Sequence, residues 1–306
     1  MKLTEAIKEG HSVSIKDLLH DRVGGKFPQR SHKIVHASDL TKDDKAFCPR
    51  EFALLDITGK KPKPEWIETA LQVTFDMGRD MQRRFNEDWL QSEMYGDWVC
   101  NSCGAATGIC QKPKGHCGRS GIRCQWEYHE ARFTSEVSGV SCGLDALVFV
   151  GEPKLRIVEY KTIARPLFDT LKTAFAEHRL RSQLYLKLIA ESGDARADQI
   201  NLDVVHIVYH IKGYGKKDTK GRMSPWKEYL IKRNDEAVKD LENPVLALNA
   251  WRAEQLKLPL GVCPTSFCQR AKVCPVVKEC FSGKYVGTLT WQENGIAKHT
   301  GKQCVE

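Results

Sequence analysis

Asp145, Glu159 and Lys161 are the residues of this chain whose types and spacing could do chemistry together. They belong to Leu144-Asp-Ala-Leu-Val-Phe-Val150 and Leu155-Arg-Ile-Val-Glu-Tyr160, two strand-like runs on either side of Gly151-Glu152-Pro153, the composition of a hairpin turn. A hairpin turning about Glu152 sets Asp145 opposite Glu159, on one face, with Cβ atoms about 4.5–5.5 Å apart. Lys161 lies two residues beyond Glu159 and leaves the same face. Two like charges in an otherwise apolar strand pair are costly unless a cation holds them. Hard oxygen donors of this kind suit Mg2+ or Mn2+. Such a site can polarise a phosphate, orient a water and stabilise a leaving oxygen, while the lysine adds positive charge and helps position or deprotonate the water. The competing reading of the same spacing is an exposed edge pattern beside a turn, and spacing alone does not choose between them.

The cysteines form a second constellation. The chain has twelve, five between residues 100 and 124 and four between 263 and 280. Residues 1–10 are charged and mixed, and no apolar run is long enough to span a membrane, so the chain is expected to be cytoplasmic, in a bacterium or a phage-infected cell. Thiols stay reduced there, and short-spaced clusters then point to metal. Cys100-x2-Cys103-Gly104 is a knuckle of the kind that begins many zinc ribbons. Tetrahedral Zn2+ needs two more ligands from Cys110, His116, Cys117 and Cys124; Cys117 and Cys124 fit best, because they flank a Gly-rich turn. This stretch either contacts DNA through Lys112, Lys114 and Arg119 or is a plain structural graft. Cys142 and Cys304 read as ordinary free cysteines, the first buried beside the hairpin.

These residues need elements to hold them. The chain of 306 residues is 41% hydrophobic with seven Trp, which excludes a disordered protein, and its formal charge of +8 is compatible with an acidic partner such as nucleic acid. Apolar spacing predicts helices over residues 39–55 and 66–90, then strands from 128 to 163 and a helix over 167–189. A strand over 204–211, a flexible basic loop over 213–222, an edge strand over 226–231 and a helix over 234–255 interrupted near Pro244 follow. Glu130, on the strand before the hairpin, is either a further carboxylate near the site or a surface residue.

Gly143-Leu144-Asp145 with Glu159-Tyr160-Lys161 closely resembles the PD-(D/E)xK nuclease superfamily, in which an Asp on one strand and a Glu-x-Lys on the next form the metal site. Three neighbours resemble its RecB-like branch. Gly78-Arg-Asp-Met-Gln82 is similar to the Gly-x-x-x-His helix segment, with Gln82 in place of His. Gln183 is similar to the Gln of Gln-x-x-x-Tyr, with Lys187 at the Tyr position and Tyr185 nearby. Cys48-Pro49-Arg50 with the late cysteines resembles the members that carry an iron–sulfur cluster: CRISPR-adaptation exonucleases, the AddB nuclease domain and phage-encoded exonucleases. The resemblance covers roughly residues 34–281, without the insert.

It implies an α/β fold, a restriction-endonuclease-like core with a mixed central sheet flanked by helices, a zinc-ribbon-like insert and a C-terminal cysteine-cluster region. The expected divisions are a basic N-terminal extension (1–35), a helical part of the nuclease domain (36–95), the zinc-binding insert (96–127), the nuclease core (128–262) and the cluster region with its basic tail (263–306). The implied activity is metal-dependent hydrolysis of phosphodiester bonds, by an exonuclease acting on single-stranded DNA or DNA ends in DNA processing or recombination. Asp145 and Glu159 would bind Mg2+ or Mn2+, Lys161 would assist the attacking water, and Gln82 and Gln183 would position metal or substrate. Lys172, Arg179, Arg181 and the loop 216–222 would grip phosphates. Four of Cys48, Cys263, Cys268, Cys274 and Cys280 would bind a 4Fe–4S cluster: Cys48, Cys274 and Cys280, with Cys268 favoured over Cys263. Zinc on the four C-terminal cysteines alone is the alternative. No membrane partner is expected, and a homo-oligomer and a partner recombination protein are both compatible with the resemblance. The competing functions are a non-catalytic DNA-end-binding metalloprotein of a recombination or packaging complex, and a redox-sensing metalloprotein.

Overall fold

The computed structural model describes residues 31–42, 46–61, 65–114, 124–212 and 223–282, with short segments at 23, 25–27 and 216–217. In chain order its elements begin with β1 (Gly25–Phe27), α1 (Ala37–Thr41), α2 (Pro49–Thr58), β2 (Glu65–Ile67) and α3 (Thr69–Arg84), which runs into a π-helical turn, Phe85–Trp89. The strands β3 (Met94–Cys100), β4 (Cys110–Gln111), β5 (Trp126–His129), β6 (Ala131–Thr134), β7 (Ser141–Leu144), β8 (Ala146–Val148) and β9 (Leu155–Ile163) come next. Then follow α4 (Arg165–Thr170), α5 (Ala176–Ala190), β10 (Ile200–Ile211), β11 (Lys216–Lys217), β12 (Met223–Ser224), β13 (Trp226–Lys232), α6 (Asn243–Arg252), α7 (Gln269–Val273) and α8 (Val277–Phe281).

The frame is a mixed seven-stranded sheet in the order β13-β10-β9-β8-β3-β4, with β5 also paired to β3. β9 and β10 run parallel and the other pairs antiparallel. The parallel pair needs a crossover, and α4 and α5 supply it. Helices cover both faces, so β9 is apolar on both, as strands in such a position must be. Ile157, Leu147 and Val205 face α5 through Leu184, Tyr185 and Leu188. Val158, Ala146 and Tyr160 face Phe85 of the π-helical turn and Met94 and Trp98 of β3. The mixed sheet flanked by helices is the architecture the resemblance implies.

Several elements differ from the sequence periodicity, each for a local reason. The expected helix over 167–189 is two helices, α4 and α5. Lys227 Nζ donates to the carbonyls of Phe168 and Leu171 at the end of α4, and the Tyr209 hydroxyl accepts from Phe175 N at 3.1 Å at the start of α5. Side chains from β10 and β13 thus satisfy the end groups that a continuous helix would have used itself. The helix expected over 39–55 is likewise broken into α1 and α2, and Pro49 sits in the first turn of α2, where its missing N–H costs nothing. Pro244 occupies the first turn of α6 and starts that helix instead of interrupting one. β3 reaches from the central sheet into the cysteine-rich segment, with Trp98 fully buried, so that segment is rooted in the core. No helix among the described residues is long and apolar enough to cross a membrane.

Ile157 is fully buried between the sheet and α5, so Ile157→Ala should cost about 2–5 kcal/mol of unfolding free energy through lost burial and the cavity left behind. A lowered urea midpoint with unchanged slope would show it, whereas Ile57→Ala, at an exposed position, should leave the midpoint nearly unchanged.

Candidate active site

The hairpin folds in the register its sequence implies. Ala146 pairs with Val158 and Leu147 with Ile157, so the next step places Asp145 opposite Glu159. Gly151 supplies a positive φ of 82° in the connection, which a residue with a Cβ would adopt only with strain. At Asp145 the chain bends: β7 leaves the central sheet to pair with β6, and β8 joins β9. That divergence opens a cleft of about 430 Å³ whose walls include Asp145, Lys161, Glu130, Arg132, Arg181 and Tyr185.

The three chemistry-bearing side chains meet there. Asp145 Oδ2 accepts hydrogen bonds from Tyr160 N at 3.0 Å and from Lys161 Nζ at 2.8 Å. Glu159 is only 1% exposed. Its Oε1 lies 2.9 Å from Lys161 Nζ and 3.7 Å from Arg181 Nη1, as charge contacts without hydrogen-bond geometry. Its Oε2 has no hydrogen-bond partner among the described residues. Burial first, and then the Asp145 charge, push the Glu159 carboxyl up to about 7 against the opposing pull of Lys161 and Arg181. Burial would lower Lys161, but Asp145 and Glu159 outweigh it and hold the ammonium above its ordinary value. Lys161 therefore presents a charged ammonium to the two carboxylates.

Two elements brace the site. From α5, Arg181 and Tyr185 stand one turn apart and face the cleft. Arg181 Nε also donates to Thr41 Oγ1 of α1 at 3.2 Å, and its guanidinium pairs with Glu177. From the π-helical turn, Asn86 Nδ2 donates to the Asp145 carbonyl at 3.1 Å, while Phe85 stacks on Tyr160 with centroids 4.5 Å apart. A single π-helical turn inside a longer helix is a recurrent feature of functional sites. Glu130 leans over the same wall: a Cβ on Gly143 would stand 2.7 Å from its Oε2 and would push the carboxylate aside.

The remaining expected site residues are placed differently. Gln82 is half-buried on α3 and is not among the residues lining the cleft; Asn86, one turn later, takes the position against Asp145. Gln183 is buried with its amide committed elsewhere, Nε2 to the Lys232 carbonyl and Oε1 to Asn234 N, where it ties α5 to the end of β13. Lys187 pairs with Glu191 and Glu242, on the side of the helix roughly opposite Tyr185. Lys172 and Arg179 are exposed. Asn86, Arg132 and Arg181's contact with Glu159 had no motif to announce them. The only hint for Asn86 was an amide between Phe85 and Trp89, on the helix before the hairpin.

Among the described residues no group of three or more His, Cys, Asp or Glu side chains is placed to hold a metal ion. Mg2+ does not require one, since one or two carboxylates with water and substrate phosphate commonly suffice. A buried carboxylate oxygen without a donor, opposite a second carboxylate that lines the cleft, fits such a cation.

The cysteines are partly gathered. Cys100 and Cys103 close a tight turn, with Gly104 N donating to the Cys100 carbonyl at 2.8 Å and Gly104 at φ 69°. Burial alone would raise the Cys100 thiol, but the amides of Ser102 and Cys103 and the thiols of Cys103 and Cys124 outweigh it and hold it low. Cys110 pairs with Gly96, four residues back along β3, about 13 Å from Cys100. His116, Cys117 and Arg119 lie outside the described residues, as do most of the loop 216–222 and Cys304. Lys112 lies over the Trp98 ring, and Lys114 is exposed. Cys142 is buried and its thiol is pushed up to about 12. Far from the hairpin, Arg50 Nε donates to Cys280 Sγ at 3.3 Å, and Arg270 stands 4.0 Å from Cys263 Sγ while pairing with Glu51 at 2.6 Å. Cys48 acts electrostatically on Cys274, Cys280 and Arg270, so residues from both ends of the described chain share one neighbourhood. Cys268 is buried at the start of α7.

The raised Glu159 carboxyl has a consequence for stability in metal-free buffer. Below its unfolded value of 4.5 both states are protonated; between 4.5 and about 7 the unfolded chain ionises first, so folding stability falls; above about 7 the full cost is present. Urea midpoints of Glu159→Gln measured against the native chain should therefore shift progressively in the variant's favour between those two pH values and stay constant above. A difference independent of pH would show that Glu159 carries no such cost.

No protein-family model matches the chain, and no curated protein matches it. Among solved structures it is similar to the alkaline exonuclease LHK-Exo from Laribacter hongkongensis, at 15% identity and a TM-score of 0.38 over 72% of this chain and 89% of that one. It is similar to LHK-Exo in complex with dAMP at 15% and 0.39, over 78% and 94%, and to SSO0001 at 11% and 0.34, over 73% and 78%. Likeness this slight carries no conclusion about activity, and the functional reading rests on the site itself.

Proposed function

We propose that the chain is a divalent-metal-dependent nuclease that hydrolyses phosphodiester bonds in DNA, as an exonuclease of the PD-(D/E)xK type. The observation that carries this reading is the carboxylate pair: Asp145 opposite Glu159, with Lys161 Nζ 2.8 and 2.9 Å from them, and Asp145 and Lys161 lining an open cleft. A plain structural ion pair does not need two carboxylates for one lysine, nor a buried carboxylate oxygen without a donor.

Asp145 and Glu159 would hold Mg2+ or Mn2+, which when bound supplies charge stabilisation at the phosphate and an activated water. Lys161 presents an ammonium to the cleft, where it can hydrogen bond a phosphate oxygen or orient the attacking water. Arg181 lies beside Glu159 and Arg132 on the cleft wall, and both add positive charge for the DNA backbone. Asn86 keeps Asp145 oriented through its carbonyl, and Tyr185 closes the wall next to the carboxylates.

The cysteine groups belong to the same reading as structural staples. Cys100, Cys103 and Cys124 would bind Zn2+ with a fourth ligand, which the low-held Cys100 thiol favours. Cys48, Cys274 and Cys280, with Cys268 or Cys263 as the fourth, would ligate an iron–sulfur cluster beside Arg50 and Arg270, whose charges offset those of the thiolates. Such a staple would tie α2 to the C-terminal cysteines.

Cleavage of end-labelled single- and double-stranded DNA should depend on added Mg2+ or Mn2+. Asp145→Ala and Lys161→Ala should each lower it about 10²-fold or more, the usual scale for removing an electrostatic group from a reacting centre. A purified protein that cuts under no divalent metal would overturn the enzyme reading.

Metal content separates the two cysteine groups. Protein purified without oxygen should carry iron and sulfide that are lost in Cys48→Ala, and zinc that is lost in Cys100→Ala. Iron-free, colourless protein with zinc at both sites would remove the cluster and keep the staple.

A further inference from the structure

A second pocket lies on the other side of the sheet from the carboxylates, and its walls are aromatic. Its volume is about 570 Å³, within the range of small-ligand pockets, and it is lined by Met77, Met81, Arg84, Trp89, His210 and Trp226 among others. Trp89 and Trp226 are each 44% exposed, unusual for the largest apolar side chain. Their indole planes stand at 73° with centroids 6.0 Å apart, and His210 fills the angle between them, 5.4 Å from Trp89 and 5.6 Å from Trp226. The result is an open corner that offers a ring face on one side and a ring edge on the other, the two ways aromatic rings prefer to meet.

This corner and the cleft lie on opposite faces of the sheet, with buried side chains packed between them. Trp89 ends the π-helical turn whose Asn86 holds the Asp145 carbonyl. Tyr160, between Glu159 and Lys161 on β9, points to the opposite face, stacks on Phe85 and hydrogen bonds His210 through its hydroxyl. His210 pairs with Thr162 on one side and Trp226 on the other, so the corner lies across the sheet at the level of the catalytic strand's end. Three helical residues from Asn86 to Trp89 advance about 4–5 Å along the axis. The charge beside the rings is positive at Arg84, while Asp80, which also lines the pocket, stands 3.6 Å from Arg83.

We propose that the Trp89–His210–Trp226 corner stacks one unpaired nucleobase of a DNA strand, with Arg84 toward its phosphate. The inference rests on the nuclease reading and names the substrate form the site takes: a strand with a base free to leave its duplex. Base–aromatic stacking is tolerant of sequence, because every base has a π-face, so the pocket selects single-stranded character and not a particular base. The Arg84 charge beside the rings favours a nucleotide.

Binding is read without cleavage, in the full chain with a metal chelator present. Single-stranded oligonucleotides carrying 5-iododeoxyuridine at successive positions are irradiated, and the cross-linked peptide is mapped by mass spectrometry. Cross-links at Trp89 or Trp226 are expected. In fluorescence anisotropy, Trp226→Ala and Trp89→Ala should each weaken single-strand binding about tenfold, the scale of one lost base stack, while Trp226→Phe retains most of it and blunt duplex affinity changes little. Cross-links confined to other peptides, or alanine variants that fold and bind as the native chain does, would overturn the proposal. Should an alanine variant fail to fold, the cross-link map of the native chain and the Trp226→Phe affinity still decide. A protein that cross-links here yet cuts under no metal keeps the pocket and loses the nuclease reading. One that cuts but cross-links only elsewhere does the reverse.

Discussion

The pairing register of β8 with β9 is the constraint from which the site follows. It places Asp145 opposite Glu159 and sends Lys161 out of the same face. Two carboxylates at that spacing repel, and one of them is almost fully buried, so the fold carries an electrostatic cost at this point. Lys161 reduces it by touching both acids, and Arg181 adds a second positive charge from α5. A slip of one residue would turn all three side chains to the opposite face. The apolar neighbours prevent that slip, because Leu147 and Ile157 must meet α5 while Ala146 and Val158 must meet the π-helical turn and β3.

Buried strain of this kind persists only where the surroundings leave no alternative. The site is held from both faces: α5 brings Arg181 and Tyr185, and the π-helical turn brings Asn86 and Phe85. These elements are themselves fixed at a distance. Gln183 bolts α5 to the end of β13, and the Tyr209 hydroxyl receives the amide of Phe175, just before α5, and contacts His178. The π-helical turn links two environments, since Asn86 holds the Asp145 main-chain carbonyl and Trp89 belongs to the aromatic corner. Charged chemistry and aromatic contact thus sit back to back on β9, separated by the alternation of one strand.

Much of this is legible in the sequence, and the part that is not has a common cause. Period-two alternation and the Gly151 turn reveal the hairpin, and with it the Asp145–Glu159 pairing, because strand pairing across a short turn is a local property. Helix ends are less legible. The separation of α4 from α5 depends on Lys227 and Tyr209, side chains on strands that follow both helices in sequence. Gln82 and Gln183 show the same limit more sharply. Each stands where a motif expects a site residue, yet one is replaced at Asp145 by Asn86 and the other spends its amide on β13. A short motif specifies residue type and order, but not the helix rotation that decides which residue of a turn faces the strand.

By itself, then, the sequence determined the local geometry: an acidic hairpin with its lysine, a cysteine knuckle closed by Gly104, and the alternation of a doubly covered sheet. It also showed that cysteines far apart in the chain form a set of related type. The tertiary structure decided what surrounds each group. It buried Glu159 and left Asp145 at the edge of a cleft, brought Arg50 and Arg270 to thiols from both ends of the chain, and turned Trp89, His210 and Trp226 into one corner. The physical reason is that spacing along a chain fixes direction only within an element, whereas burial, charge and ring contact depend on packing between elements that the sequence separates by tens or hundreds of residues.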